Sequence, residues 1–159
     1  MNEIARAPAR ATTRIADGWP RIMWTHQDLD RMVEAGLLRE DDHVELVGGE
    51  IVPMSPKGNR HEPLRHRLTD FMYRRLPGNL LLMNEPGWRP EPHSYFEPDL
   101  LIVPAVISGM EIPAPQVRLL IEIADTSFGY DTSVKRDAYA RLGVREYWVI
   151  HAARLETRV

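Results

Sequence analysis

From Trp19 onward the apolar positions alternate between helical and strand-like spacing. Leu29, Met32, Val33 and Leu37 recur at helical intervals behind Thr25 as an N-cap and Asp28 in the first turn, which predicts a short amphipathic helix that ends by Gly36 and the charged run 39–42. Val44–Val47 and Glu50–Val52 flank Gly48-Gly49, a pair that tolerates the positive φ of a tight turn, so this stretch reads as a β-hairpin with Glu45 and Glu50 on either side of the turn. After a loop over 53–59, Leu64, Leu68, Phe71, Met72 and Leu76 mark one face of a second helix, with Pro63 in its first turn and Pro77-Gly78 as its stop. Leu80–Met83 reads as a strand and 84–93 as a proline-rich connection. Tyr95–Val103 and Val117–Ala124 are the strongest strands, and both are apolar on both faces, as in a sheet covered on two sides. A last helix is expected from an Asp131 cap, with Val134, Ala138 and Leu142 inward and Gly143 as its stop, before a closing strand at Tyr147–Ile150.

That order gives a mixed α/β sandwich. Residues 1–18 lack apolar periodicity and read as a mobile N-terminal arm ahead of one domain over 19–159. The longest apolar run, Leu100–Ile107, carries Pro104 and falls well short of the roughly 20 residues that span a membrane. No continuous hydrophobic core of a secretory signal is present at the start, so a cytoplasmic location and no membrane partner are expected. With no cysteine, disulfides, thiolate nucleophiles and Cys-ligated metals are excluded. A formal charge of −3 argues against a surface coated in positive charge. Between Lys57 and Leu76, however, six basic residues face two acidic ones, either as a solvated helix face or as a phosphate-facing strip.

Two carboxylates interrupt the most apolar strands: Asp99 just before Leu100–Val103, and Glu122 inside Leu119–Ile123. A buried carboxylate needs a partner. It is either an ion pair, for example Glu122 with Arg118, or a shared hard-oxygen site for magnesium or manganese. His61 and His66 are five apart, not the four that puts two ligands on one helix face, and neither a Ser-His-Asp arrangement nor a glycine-rich phosphate loop is evident.

The ordered strings Glu45–Pro56, His61, Pro98–Val103, Ile121–Ile123, Tyr130-Asp131 through Lys135, Tyr139-Ala140, Gly143-Val144 and Glu146–Val149 resemble the bacterial Uma-two family of restriction-endonuclease-like proteins, within the PD-(D/E)xK nuclease superfamily. The resemblance implies an αβββαβ core, a mixed sheet with helices on both faces, preceded by a short helix and a hairpin. It also implies Asp99 and Glu122 as ligands of Mg2+ or Mn2+. The superfamily's lysine usually lies two residues after the second acid, where this chain has Ala124; Lys135 on the next helix matches the relocated lysine. A lysine on a helix flank is otherwise merely solvated. Glu45 is either a metal-shell or orienting carboxylate or a strand charge facing water, and His61 either a phosphate or water contact or a capping or packing histidine. The resemblance also leads one to expect further strands beyond Ile150, yet the chain stops nine residues later, at Val159; either a partner chain covers that edge, or the protein is a shortened, inactive relative.

The expected function is therefore a metal-dependent endodeoxyribonuclease, with Asp99, Glu122 and Lys135 as catalytic residues, Glu45 and His61 assisting, and Arg60, Arg67 and Arg74 contacting DNA. Cutting two strands with one site per chain implies a homodimer. The alternative is a noncatalytic binding or interaction module of the same fold.

Overall fold

A computed structural model describes residues 18–159 apart from Glu40 and Ser108. The arm expected over 1–18 lies, except for Gly18, outside the described residues. The elements are α1 (His26–Glu34), β1 (Val44–Val47), β2 (Glu50–Pro53), α2 (His61–Tyr73), β3 (Leu80–Asn84), β4 (Trp88–Glu91), β5 (Ser94–Phe96), β6 (Leu100–Pro104), β7 (Leu119–Ala124), α3 (Phe128–Tyr130), a π-helical stretch (Asp131–Lys135), α4 (Arg136–Leu142), β8 (Tyr147–His151) and β9 (Glu156–Arg158). Among the described residues no helix is long and apolar enough to cross a membrane.

Local chemistry sets the first elements. The Thr25 and Asp28 side chains cap each other's backbone N–H groups, closing a capping box at the start of α1. Gly48 and Gly49 both take positive φ, 57° and 85°, which turns β1 back onto β2 with Val47 opposite Glu50.

Five strands form the central sheet in the order β3-β6-β7-β8-β9. β7 and β8 run parallel, and that pairing requires a crossover, which the helical stretch from Phe128 to Leu142 supplies. Leu64, Leu68 and Met72 of α2, with Leu76 just beyond its end, pack against Leu82, Leu100, Ile102 and Ile121 on one face. On the other face Leu101, Val103 and Leu120 meet Ala138 and Tyr139 of α4, together with Trp88 and Phe96. The succession α2, β3, β6, β7, helix, β8 is the expected αβββαβ core, with helices on both faces.

Inserted between β3 and β6, the β4–β5 hairpin joins the N-terminal hairpin in a second sheet, β2-β1-β5-β4. It corrects two expectations. The proline-rich connection contains β4, whose Pro90 is tolerated because β4 is an edge strand. The single strand expected over Tyr95–Val103 is two strands in different sheets, broken at Glu97-Pro98-Asp99. Two inward positions are also corrected: Phe71 is half exposed under the Arg75 guanidinium, 4.0 Å from its ring centre, and Val134 is exposed. Finally, β8 does not close the sheet, because β9 pairs antiparallel along it and covers the edge expected to stay open.

Trp88 is fully buried and its indole N–H donates to the Ile112 carbonyl at 2.7 Å. Trp88→Phe should lower the unfolding free energy by about 1–3 kcal/mol, because it leaves that buried carbonyl without a donor. Denaturant titration reads the loss, and an unchanged midpoint would show that the bond contributes nothing net.

Candidate active site

Glu122 lies on the same face of β7 as Leu120, turned toward the helix that follows the strand. Along that helix Asp131, Lys135 and Tyr139 recur every four residues, so all three side chains meet the sheet. Lys135 is buried, and its Nζ lies 2.9 Å from Glu122 Oε1, 2.8 Å from Glu45 Oε1 and 4.0 Å from Asp131 Oδ1. The Tyr139 hydroxyl donates to the same Glu122 Oε1 at 2.9 Å. Glu122 is thus paired with Lys135, not with Arg118.

The helix is locally widened here. The N–H of Arg136 donates to the Asp131 carbonyl five residues back, and that carbonyl also accepts from the Tyr147 hydroxyl of β8 at 3.0 Å. Such π-turns often occur at functional sites. The expected Asp131 cap is corrected by this geometry: the helix begins at Phe128, and the Asp131 carboxylate is buried inside it, accepting from Ser127 Oγ.

Glu45 reaches the cluster from the second sheet. Leu46 beside it packs under α1 with Leu29 and Leu38, so the alternation along β1 sends Glu45 the opposite way, to 1% exposure. Asp99 sits in the break between β5 and β6. Its Oδ2 accepts the Ile123 N–H at 2.7 Å, which fixes it beside Glu122, and its Oδ1 lies 2.7 Å from His61 Nε2. His61 Nδ1 lies 3.1 Å from Glu62 Oε1. Glu62 pairs with Arg65, which also reaches Glu85, itself bound by Lys57. A chain of alternating charges therefore runs from Asp99 to the rim.

The electrostatics follow from burial and crowding. Removal from water pushes the Glu122 carboxyl up to about 8; Lys135 pulls it down, but Asp99, Asp131 and Glu45 add to the rise. Burial likewise raises Glu45 and Asp131 against the pull of Lys135. Burial alone would lower the Lys135 ammonium, but the charges of Glu122, Glu45 and Asp131 outweigh it and hold the proton well above the ordinary lysine range. For His61, too, burial works downward and the Asp99 bond and charge prevail, raising it. With a carboxylate on each ring nitrogen, both nitrogens donate and the imidazolium is favoured.

These groups line one cleft of about 50 Å³, room for a few waters, walled by the segment Met54–Gly58 and by Asp125, Thr126, Ser127 and Tyr130. Gly58 presses against Asp125 so closely that a Cβ there would overlap its carboxylate. The structure therefore brings Asp99, Glu122, Lys135, Glu45 and His61 together. The expected DNA contacts lie outside the cleft. Arg60 is exposed at its mouth, with its guanidinium 3.8 Å from Asp125, and Arg67 is exposed on α2. Arg74 stands some 14 helical positions beyond Arg60, roughly 21 Å at 1.5 Å per residue, and is paired with Asp70 at 2.9 Å. Sequence reasoning missed Asp131 as a cluster member, as well as Tyr139 and Tyr130; the four-residue recurrence of Asp131, Lys135 and Tyr139 was the available signal.

A shared order of motifs matters once it places five polar residues in one cleft, and here the comparison with known families agrees. Residues 27–159 match the model of Uma2, a family described as "Putative restriction endonuclease". The chain belongs to the Uma2 family. The match runs from the first turn of α1 through β9, so both the second sheet that supplies Glu45 and the helix that supplies Lys135 fall within the Uma2 region. No curated protein matches the chain.

Proposed function

We propose that this Uma2 protein is a metal-dependent endodeoxyribonuclease that hydrolyses phosphodiester bonds, with Asp99, Glu122 and Lys135 as its catalytic residues. The observation that carries the reading is a buried lysine amine held between two carboxylates beside a third, Asp99, at the edge of an αβββαβ sheet. The donor chemistry fits a hard divalent cation. Six carboxylates, Glu45, Glu97, Asp99, Glu122, Asp125 and Asp131, line the cleft against Lys57, His61 and Lys135, and the charges of Asp99, Asp131 and Glu45 add to the burial that raises Glu122. Among the described residues no three ligand-type side chains converge on one point. Asp99 and Glu122 would therefore hold the ion with water and substrate oxygens completing its shell, as magnesium is commonly bound. Such an ion supplies Lewis acidity toward a phosphate oxygen and makes a bound water more acidic.

The protein's own groups do the rest. Glu45 and Asp131 keep the Lys135 amine charged and aimed into the cleft, where it orients the attacking water and stabilises charge gathering on phosphorus. Tyr139 and the Ile123 N–H fix the directions of Glu122 and Asp99. His61 holds the second Asp99 oxygen and is in turn held by Glu62. Water adds to phosphorus and the bond to the 3′ oxygen breaks, leaving a 5′-phosphate and a 3′-hydroxyl.

Arg60 and Arg67, both exposed, would meet the DNA backbone in this reading, and contacts of that kind carry little base specificity. Replacing both with glutamine should weaken binding to all duplex sequences alike. The slope of log affinity against log salt should fall by about 0.9 per lost contact. An unchanged slope in a fluorescence-anisotropy titration would make α2 a solvated face. The direct test of the reading is cleavage of supercoiled plasmid with Mg2+ or Mn2+. If no DNA is cut under any metal condition, the chain is a binding module of nuclease fold.

A further inference from the structure

We propose that Tyr130 is a further catalytic residue, donating a hydrogen bond from its phenol to an oxygen of the phosphate that enters the cleft; this rests on the nuclease reading. Tyr130 ends α3, immediately before Asp131, and its ring lines the cleft with the Lys135 ammonium 6.0 Å from the ring centre. Its hydroxyl is buried and has no hydrogen-bond partner. The neighbouring donors are otherwise engaged: His61 with Asp99, Lys57 with Glu85, Ser127 with Asp131, Thr126 with the Pro56 carbonyl, and Lys135 with its carboxylates.

A buried hydroxyl without a partner is destabilising, and phenylalanine would fill the same space without that cost. An oxygen kept at such a position calls for an acceptor that arrives from outside. The phenol cannot serve as a base, because burial, and then the negative charge of Glu45, strengthen its hold on its proton. It can only donate. A phosphodiester brings acceptor oxygens whose negative charge grows as water attacks, and a donor already fixed in the cleft stabilises that growth without reorganising. Tyr130 keeps its proton throughout, so it changes the barrier and not the products.

The test compares wild type with Tyr130→Phe in three measurements. In calorimetric titration with inorganic phosphate in the presence of Mn2+, the variant is expected to bind about tenfold more weakly. Its Mn2+-dependent plasmid cleavage should fall about 100-fold in kcat. Its thermal midpoint should stay level or rise, since only an unpartnered hydroxyl is removed. Equal phosphate affinity in the two proteins, or no phosphate binding by either, overturns the proposal. So does a lower midpoint, which would show that the hydroxyl holds the fold. Phosphate affinity that depends on Tyr130 in a wild-type protein that cuts no DNA overturns the nuclease reading and leaves the role of Tyr130 standing.

Discussion

Lys135→Met is expected to abolish phosphodiester cleavage and to lower stability by about 3–5 kcal/mol, the usual range when one partner of a buried ionic group is removed. The amine sits within 3 Å of both Glu45 and Glu122, and without it Glu45, Glu122 and Asp131 would be left facing one another inside the protein. They can escape that repulsion only by taking up protons. The loss should therefore be smallest in acid and grow as pH rises through the carboxylate range, a trend that urea unfolding at a series of pH values reads directly. Lys135→Arg separates charge from proton exchange, because a guanidinium keeps its charge but does not release a proton. If the amine exchanges a proton with the attacking water, both variants lose cleavage. If charge alone matters, the arginine variant keeps much of the rate. Full cleavage by Lys135→Met would remove the lysine from the mechanism.

Glu122→Gln should have the opposite effect on the fold and a comparable one on activity. A glutamine oxygen can still accept from Lys135 and Tyr139, while the repulsion from Asp99, Asp131 and Glu45 disappears. The metal-free variant should thus melt higher than wild type at neutral pH, yet show no Mn2+ binding by calorimetry and no cleavage. The sign with pH follows from the raised carboxyl. A group whose proton is held more tightly in the folded state stabilises fully below its ordinary value, here 4.5, and loses that contribution as pH rises through the folded value of about 8. Glutamine does not titrate, so the variant's advantage should widen between those two limits. An advantage that stays flat with pH would mean that Glu122 is ionised at ordinary values. Asp99→Asn should likewise lose Mn2+ affinity, since Asp99 supplies the second of the two proposed ligands.

Much of this was legible in the chain because it was written locally. Thr25 with Asp28, and Gly48 with Gly49, fix their elements through contacts a few residues apart, and Glu122 stands out because it is charged inside an apolar strand. Lys135 could be placed beside Glu122 through one short crossover and the family pattern. What stayed illegible depended on distant contacts. The purpose of Glu45 is set by a lysine 90 positions later, and until the two sheets meet it reads equally well as a charge facing water. Prolines concealed β4, since an edge position, which sequence does not mark, is what makes Pro90 acceptable. Asp131 looks like a cap because aspartate is a good one. Only the turn at Phe128–Tyr130 and the bond to Tyr147 show that the helix has already begun.

Glu45 belongs to the second sheet and Lys135 to the helix that packs on the central one, and the surface between the two sheets is closed by Trp88, Phe96 and Tyr139, whose rings lie 4.8–6.0 Å apart. The same tyrosine that fills this seam holds Glu122. Docking the hairpin layer and arming the site are thus one event. Any fluctuation that lifts the second sheet away removes Glu45 from the amine and loosens Glu122 at the same moment, so a partly unfolded form of this protein would lack the assembled cluster. Amide exchange in β1 and β5 and the protection of the Lys135 amine from acylating reagents should then share one opening equilibrium.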